Sequence, residues 1–334
     1  MKYLIITRFP EGEVAERWQA FLAEAELATH YTSPGYFTDP YIRNERFAVA
    51  AVDDNGIFHA VATGVIEAGR ISSGMFSRPQ LTFRKGADAE TAAAVILEGL
   101  ESMDAELIDL YAWRQLSGLN ATGSASTDAT SVVMLDLTRG ADTLFAGFSQ
   151  TRRNELRKAE RQGLIRIKEL ESEDELAEMY DIHCRWNRLK GHEPDTLEQM
   201  RTALGQRDNR RVFIAKADGR VVAGSFYRFV KGGVVEYAAN FSLPEFQRLR
   251  PNDVIGWHAI RWACEGGFTH FSMGGSHLFL RRFGGEIVRT YRYRVDKSLF
   301  KRHELRENVR AIGASAYRRL PQNVRDRVNK ILSR

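Results

Sequence analysis

Apolar and polar residues recur in the same order in two parts of the chain. Residues 46–63 (RFAVAAVDDNGIFHAVAT) and 211–225 (RVFIAKADGRVVAGS) each join two apolar β-type runs through a turn that contains Asp and Gly. Such a turn between β-rich runs predicts a β-hairpin, because Gly adopts a positive φ at low steric cost. The two predicted hairpins lie about 165 residues apart.

The segments that follow the two hairpins also agree with each other. In the first copy an extended stretch at 64–84 precedes a helical pattern at 88–103 and an apolar run at 105–113. In the second copy β-type runs precede a helical pattern at 252–267 and an apolar run at 268–275. Chance recurrence of a common motif is the alternative. We interpret the agreement as duplication of one mixed unit of helices and strands.

Helical patterns precede each hairpin, at 12–27 in the first copy and at 142–162 and 173–190 in the second. Helices, an antiparallel meander and a helix that crosses to one more strand are typical of an α+β fold. We therefore predict two units, 1–140 and 141–300, each with a mixed, mostly antiparallel sheet flanked by helices.

Two segments fall outside this repeat. The Gly/Ser/Thr-rich stretch 117–131 predicts a loop, and the tail 301–334 predicts helix interrupted by Pro321. The tail carries ten Lys/Arg against three Asp/Glu, whereas the net charge of the whole chain is +5, so the body carries about −2. This distribution argues against a folded body that coats nucleic acid. The basic tail could contact anionic lipid or pack on the body of the protein.

Composition narrows the class of protein further. Of 334 residues, 43% are hydrophobic and 27% are charged, as in ordinary globular proteins, and no apolar run suggests a membrane span. The N-terminus lacks a signal-peptide pattern. Cys184 and Cys264 have no metal-ligand spacing. We expect a cytoplasmic protein without a metal site, and contact of its tail with anionic lipid would hold it at the inner face of the membrane.

Five segments in the second unit carry a family resemblance. They are RRNELRKAERQGL (152–164), RWNRLKGHEP (185–194), VFIAKADGRVVAGSFYRF (212–229), PEFQRLRPNDVIGWHAIRWACEGGFTHFSMGGS (244–276) and FLRRFGGE (279–286). In this order they resemble the acyltransferase domain of the GNAT superfamily, in the branch of the FemAB-type peptidoglycan aminoacyltransferases. YTSPGYF (31–37) and the duplicated hairpin fit the tandem architecture of that branch more loosely. The resemblance implies tandem GNAT-like domains, the first of them degenerate.

The resemblance also implies a reaction, in which an acyl group passes to an amine. The donor is acyl-CoA in ordinary GNAT enzymes and aminoacyl-tRNA in the FemAB type. A CoA pyrophosphate would lie at the N-terminus of the 252–267 helix, where backbone N–H groups and the helix dipole favour an anion. The candidate ligands are Arg248, Arg250, Asn252, Asp253 and Asn240, with Asn252 or Asp253 as the N-cap. The loop before this helix has no glycine, unlike the usual GNAT loop, so a capped surface helix with solvated arginines stays an alternative.

Catalysis needs a base, charge near the transferred carbonyl, and an oxyanion site. Related sequences carry a lysine where this chain has Leu280, so the charge would come from Arg281 or Arg282. His277, Glu236 and Tyr237 are the other catalytic candidates, and His258 reads as a packing residue. A backbone N–H between Tyr237 and Asn240 is the candidate oxyanion donor.

The stretch TRRNELRKAERQG (151–163) predicts a helix with basic residues at every fourth position, ended by Gly163 as a C-cap. We interpret it as a wall that faces an anionic substrate, with a solvated helix face as the alternative. The candidate substrate contacts are Arg153, Arg157, Arg188 and Tyr227.

Three functions remain open at this point. The first is acyl transfer from acyl-CoA to an amine of a cell-envelope or polysaccharide precursor. The second is aminoacyl transfer from charged tRNA to a peptidoglycan precursor, and the third is a non-catalytic nucleotide- or RNA-binding module.

Overall fold

The repeated apolar runs form strands of one continuous sheet. The computed structural model describes residues 1–121 and 125–309, and within them fourteen strands join into this sheet. Both predicted hairpins are present. Asp218 and Gly219, both at positive φ, form the tight turn of the second hairpin.

The first half of the chain contains β1 (Lys2–Ile6), α1 (Gly12–Glu24), β2 (Glu45–Val52), β3 (Phe58–Glu67), β4 (Arg70–Met75), β5 (Arg78–Pro79), β6 (Leu81–Phe83), α2 (Ala89–Glu101), β7 (Leu107–Ala112), α3 (Ser117–Ala121) and β8 (Ala125–Asp136). The second half contains α4 (Ala141–Gly147), α5 (Gln150–Gln162), β9 (Arg166–Glu169), α6 (Glu173–Leu189), α7 (Leu197–Gly205), β10 (Arg210–Ala217), β11 (Arg220–Phe229), β12 (Val234–Ser242), α8 (Pro251–Glu265), β13 (His270–Ser272), α9 (Leu278–Arg281) and β14 (Glu286–Asp296). Short 3-10 helices cover His30–Thr32, Pro34–Thr38, Leu137–Arg139, Pro244–Leu249 and Leu299–Lys301.

The order of strands in the sheet is symmetric. It runs β1-β2-β3-β4-β7-β14-β8-β13-β12-β11-β10-β9, so that corresponding strands of the two halves lie at equal distances from the centre. Parallel pairing joins β4 to β7 and β12 to β13, in each case across a helix, whereas the meanders are antiparallel. The predicted fold class, tandem units with mixed, mostly antiparallel sheets flanked by helices, is confirmed.

The two halves exchange their central strands. Strand β14 of the second half pairs with β7 of the first, with Tyr293 opposite Leu110. Strand β8 of the first half pairs with β13 of the second, with Leu135 opposite Phe271. Strands β8 and β14 also pair with each other over most of their length. The boundary predicted near residue 140 stays a prediction, since each half contributes a strand beside the other.

Each half has its own core against the sheet. In the first half, α2 packs on β2 and β3 through residues such as Ile96, Phe47 and Ala62, all fully buried. In the second half, one sheet face is covered by α4, α5 and α8, with Ile255 and Phe271 at its centre. The opposite face is covered by α6 and α7. The second half therefore has two sheet faces, which we call the α8 face and the α6–α7 face.

Two predictions about local structure were wrong. The helix predicted over 142–162 is broken at Phe148, which is extended, and α5 restarts behind Ser149, whose side chain accepts a hydrogen bond from the Arg152 N–H. Within the loop predicted at 117–131, residues 117–121 are instead α3 and residues 125–131 are the start of β8, which pairs with β14, while residues 122–124 lie outside the described residues. The C-cap predicted at Gly163 is confirmed, with φ of 63°.

The tail predicted at 301–334 is helical over 302–309, and its remainder lies outside the described residues. None of the helices within 1–121 and 125–309 combines the length and the apolar character needed to cross a membrane.

Candidate active site

Strands β12 and β13 separate next to the start of helix α8. Their parallel pairing covers three residues of each strand and ends at Glu236 opposite Ser272. Just beyond this pairing the backbones of the two segments are still close, since a Cβ on Gly274 would lie only 2.9 Å from the Tyr237 carbonyl oxygen. Gly274, at φ of 69°, is therefore required where the chain leaves β13. Beyond this point the two strands form a fork.

A β-bulge lies on β12 at the fork. Tyr227 of β11 pairs with Tyr237, and Phe226 pairs with Ala239, so Ala238 has no residue opposite it. A bulge turns backbone groups away from the ladder and re-aims neighbouring side chains. Tyr237 accordingly packs on the α8 face, whereas Ala239 packs on the α6–α7 face.

Arg78, from the first half of the chain, reaches this bulge. Its guanidinium donates a hydrogen bond to the Ala238 carbonyl oxygen over 3.0 Å and forms an ion pair with the buried Glu236 carboxylate. The Tyr31 phenol and the Glu236 carboxylate raise the pKa of Arg78. A fixed positive charge from one half therefore lies beside the bulge of the other.

Polar side chains follow the α8 face from the bulge toward α8. The hydroxyls of Ser225, Tyr227 and Tyr237 and the Asn252 Oδ1 atom are buried. The Ser225 hydroxyl interacts with both tyrosine hydroxyls, which offsets part of the effect of burial on their pKa. Asn240 is opposite Ser225 in the strand register. Burial raises the pKa of both tyrosines, so they keep their protons at neutral pH. We call these five residues the polar stripe.

Helix α8 begins earlier than the sequence predicts. Pro251 is its first residue and Arg250, at φ of 60°, is the N-cap, so neither Asn252 nor Asp253 has that position. Pro at this position loses no intrahelical hydrogen bond, which lets the helix extend to it. The Asn252 amide donates to the Ser242 hydroxyl over 3.2 Å. The roles predicted for Asn252 and Asp253 in donor binding stay predictions.

A buried arginine fixes the start of α8. Arg152 of α5 is fully buried and forms an ion pair with Asp253, itself 3% exposed. Arg152 also donates to the Phe279 carbonyl oxygen over 2.9 Å. Its guanidinium lies 4.5 Å and 4.2 Å from the ring centroids of Phe279 and Phe283. One side chain thus connects α5, α8 and the segment after β13.

Two of the predicted phosphate ligands lie at the surface next to α8. Arg248 is exposed at the end of the preceding 3-10 helix. Arg250 is half-exposed and lies 2.7 Å from the Glu155 carboxylate of α5. The structure therefore brings two formal positive charges to the N-terminus of α8, one of them already paired.

The basic residues of α5 have local partners. Arg153 donates to the Ala146 carbonyl oxygen over 2.7 Å, which closes the break between α4 and α5. Arg157 lies over the Phe145 ring, 5.5 Å from its centroid. Arg188 is exposed near the end of α6. Their predicted role as substrate contacts stays a prediction.

The segment after β13 carries the remaining catalytic candidates. His277 is exposed, and its ring stacks on Phe279 at 6.2 Å. Leu280 is buried in the core. Arg281 is exposed and donates to the Ser276 carbonyl oxygen, whereas Arg282 is half-buried. None of these contacts assigns a catalytic role, so His277, Arg281 and Arg282 stay predictions. The packing role predicted for His258 is confirmed by its contact with Phe213, at 4.7 Å between ring centroids.

A group of buried charges joins the two halves. Asp39 accepts from His30 over 2.9 Å and lies 2.8 Å from Arg210. Arg228 is 4.0 Å from the same carboxylate and donates to the Tyr31 hydroxyl. Burial lowers the pKa of His30 to about 4, so its imidazole is neutral. Asp39 stays ionised, because His30, Arg228 and Arg210 lower its pKa in spite of burial. We call these five residues the interunit cluster.

Two cavities adjoin the interunit cluster. The larger, about 490 Å³, lies in the first half, with Tyr36, Asp39, Arg78 and Gln80 in its wall. The smaller, about 200 Å³, lies on the α6–α7 face of the second half. Tyr41 and Arg228 line both. The wall of the larger cavity contains Arg43, Arg78 and Arg228 against Asp39, and Glu236 pairs with Arg78, so the region around this cavity has a surplus of one positive charge.

Several of these residues were missed by the sequence analysis. Arg228 and Arg210 stand within or next to apolar strand runs, and a charge in such a run is a signal of a buried, paired group. Arg78 and Asp39 have no comparable signal, because they lie in turn-like segments far along the chain from β12.

No group of three or more potential metal ligands is found in the part of the chain that the structure describes.

Residues 146–295 match the family whose model is described as acetyltransferase (GNAT) domain. This part of the chain, which is less than half of it, resembles a GNAT domain, and it includes the fork, the bulge, the polar stripe and α8.

Solved structures of the same fold cover nearly the whole chain. FemX aligns with a TM-score of 0.67 at 12% identity, covering 89% of this chain and 98% of its own. The C-terminal domain of a putative lysylphosphatidylglycerol synthetase from Agrobacterium fabrum aligns at 0.56 and 13%, covering 85% and 92%. A tandem GNAT protein from the clavulanic acid biosynthesis pathway aligns at 0.55 and 11%, covering 89% and 99%. No curated protein sequence matches significantly. At these identities the likeness concerns the fold.

Proposed function

We propose that the chain transfers an acyl group from acyl-CoA to an amine of an anionic cell-envelope or polysaccharide precursor. The observation that carries the proposal is the bulge at Ala238, which lies at the fork between the polar stripe and Arg78. This arrangement offers a path for a donor from the start of α8 to a point where backbone groups are free of the ladder.

The residues present fit an acyl-CoA donor. Its phosphates would be bound at the N-terminus of α8 by backbone N–H groups, Arg248 and Arg250. Its amide-bearing arm would add hydrogen bonds to the buried hydroxyls of the polar stripe and to the Asn252 Oδ1 atom, which has no hydrogen-bond partner among the described residues. The thioester carbonyl would then lie at the bulge.

The chemistry follows from this placement. The amine nitrogen attacks the thioester carbon, and a backbone N–H at the bulge stabilises the oxyanion, aided by the charge of Arg78. The C–S bond breaks, and the leaving thiolate takes a proton from Tyr237, which is protonated at neutral pH and regains this proton from water, so that the proton lost by the amine is balanced. The amine gives up its proton through Glu236, the carboxylate two residues before Ala238, or through water.

The acceptor would occupy the larger cavity. Its walls bring Arg78 and Arg228 together with the aromatic side chains of Tyr36 and Tyr41. The surplus of positive charge favours an acceptor with phosphate or carboxylate groups. The acceptor amine would reach the fork past Arg78, the residue that contacts both the cavity and Ala238.

Ligand-dependent thermal stability of the full chain tests the donor. We expect CoA and acyl-CoA to raise Tm, and uncharged tRNA to leave it unchanged. The double variant Arg248→Ala/Arg250→Ala should bind CoA more than tenfold more weakly. The control Lys2→Ala/Arg8→Ala removes two exposed charges at the far edge of the sheet and should bind CoA normally.

Two other binding results would favour a different function. A rise of Tm with aminoacyl-tRNA and not with CoA would favour aminoacyl transfer to a peptidoglycan precursor. Binding of RNA with a steep salt dependence and no reaction with either donor would favour a non-catalytic RNA-binding module.

A further inference from the structure

The smaller cavity on the α6–α7 face adjoins the bulge. Ala238 and Ala239 form part of its wall, so the cavity opens where the donor carbonyl is placed. Six of the thirteen other wall residues are apolar and come from α7 and the sheet: Met200, Ala203, Leu204, Val212, Phe226 and Phe241. We call it the acyl cavity.

The position of Ala239 gives the cavity a direction. On the α8 side of the bulge lie Tyr237 and the polar stripe, whereas Ala239 faces α6 and α7. A donor that reaches the bulge from α8 would therefore carry its acyl chain through the fork, from the α8 face to the α6–α7 face. On that face the acyl chain would lie over Phe226 and extend toward Val212. These two residues are directly opposite each other on β11 and β10.

The charges around the cavity select against a cationic acyl group. Its wall contains Arg210, Arg211 and Arg228, and the carboxylate of Asp195 in the same wall is half-exposed. His183, also in the wall, accepts a hydrogen bond from the Asp195 N–H over 3.0 Å, and burial lowers its pKa. An aminoacyl group would place its ammonium among arginines, at a cost that an uncharged chain avoids.

We propose that this cavity holds the acyl chain of the donor, and that the preferred chain is uncharged and medium in length. The proposal rests on the proposed function. An apolar cavity of about 150 Å³ accommodates a benzene-sized molecule, so a cavity of about 200 Å³ fits about six to eight carbon atoms. Ala239, Phe226 and Met200 are then the residues that set chain length.

Calorimetric titration of the full chain with free CoA and with acetyl-, butyryl-, hexanoyl-, octanoyl- and palmitoyl-CoA tests this directly. The measured quantity is the ratio of each Kd to that of free CoA, which cancels effects on phosphate binding. We expect affinity to rise about fourfold per methylene up to about six to eight carbons, and to fall for palmitoyl-CoA.

Two variants should move the optimum in opposite directions. Ala239→Leu fills the cavity and should shift the preference to shorter chains, whereas Phe226→Ala enlarges it and should shift the preference to longer ones. Ala239→Val is the milder substitute where Ala239→Leu does not fold. The control Ile167→Phe fills a different cavity, of about 480 Å³ on the α8 face, and should leave the profile unchanged.

The outcomes separate this proposal from the proposed function. If CoA binds but affinity is independent of chain length, or if Ile167→Phe shifts the profile while the Ala239 and Phe226 variants do not, the acyl cavity is refuted and the donor assignment stands. If neither CoA nor any acyl-CoA binds, the donor assignment fails and this proposal fails with it.

Discussion

The neutral His30 makes stability depend on pH in a calculable way. Its ring is fully buried, Nε2 donates to Asp39, and the Nδ1 atom has no hydrogen-bond partner among the described residues. Protonation would add a buried N–H donor without an acceptor, next to Arg210 and Arg228. This is why burial lowers the pKa of His30 to about 4.

The direction of this pH dependence follows from the number of protons bound by the unfolded and the folded chain. Between pH 6.5 and about 4 the unfolded chain binds a proton on His30 that the folded chain does not, so the free energy of unfolding falls as pH falls through this window. At about 1.4 kcal/mol per pKa unit, the full window is worth roughly 3 kcal/mol. Above pH 6.5 this contribution is constant.

Urea unfolding at half-unit pH steps from 7.5 to about 4.5 provides the assay, with His30→Gln as the comparison, since Gln keeps a donor for Asp39 and does not titrate. We expect the wild type to lose stability more steeply than His30→Gln below pH 6.5. Other histidines with lowered pKa, such as His183 and His270, contribute equally to both proteins. Parallel profiles for the two proteins would refute a neutral, buried His30.

Two further predictions concern α5. Arg152→Met leaves the Asp253 carboxylate buried without its partner and should lower the free energy of unfolding, measured in urea, by about 3–5 kcal/mol. The double variant Arg152→Met/Asp253→Leu should recover much of this loss. Equal losses of stability in the two variants would contradict a buried ion pair. Gly163→Ala should lower the free energy of unfolding by about 1 kcal/mol, because φ of Gly163 is 63°. A Cβ at this position would meet no atom within 4 Å, so backbone strain is the cause of the expected loss. The matched control Gly147→Ala, at a position without a positive φ, should not destabilise the protein, and equal losses at both glycines would rule out strain as the cause.

Local structure could be predicted from the sequence wherever the signal is local. The hairpins, α2, α6 and α8 follow from turn residues and periodicity, and Gly163 from its conformational freedom. The break between α4 and α5 was missed because Ser149 lies in a continuous helical pattern. The strand character of 125–131 was missed because its Ser and Thr residues pair with β14, more than 150 residues later.

The site was predicted only in part, because some of its residues are brought together by contacts between segments far apart in the sequence. The fork, Tyr237, Glu236 and the start of α8 lie within one continuous stretch whose pattern indicates strand and helix. Arg78 and the interunit cluster depend on packing between the halves, which no spacing in the sequence reports. Arg152 was not distinguished from the other basic residues of 151–163, yet it is fully buried, and its partner Asp253 lies a hundred residues away.

The exchange of β8 and β14 leads to a last prediction, about where the chain can be divided. A fragment of residues 141–309 begins at the predicted boundary but lacks β8, which lies between β13 and β14 in the sheet. Strand β13 has only three residues and would lose its antiparallel neighbour, while the apolar side chains of β14 and β13 would be exposed at open edges. A fragment of residues 125–309 restores β8. We expect 125–309 to unfold cooperatively in urea, followed by circular dichroism, and 141–309 to show no cooperative transition. If 141–309 unfolds as cooperatively as 125–309, the exchanged strand is not needed, and the GNAT domain is an independent unit that starts where the sequence repeat predicts.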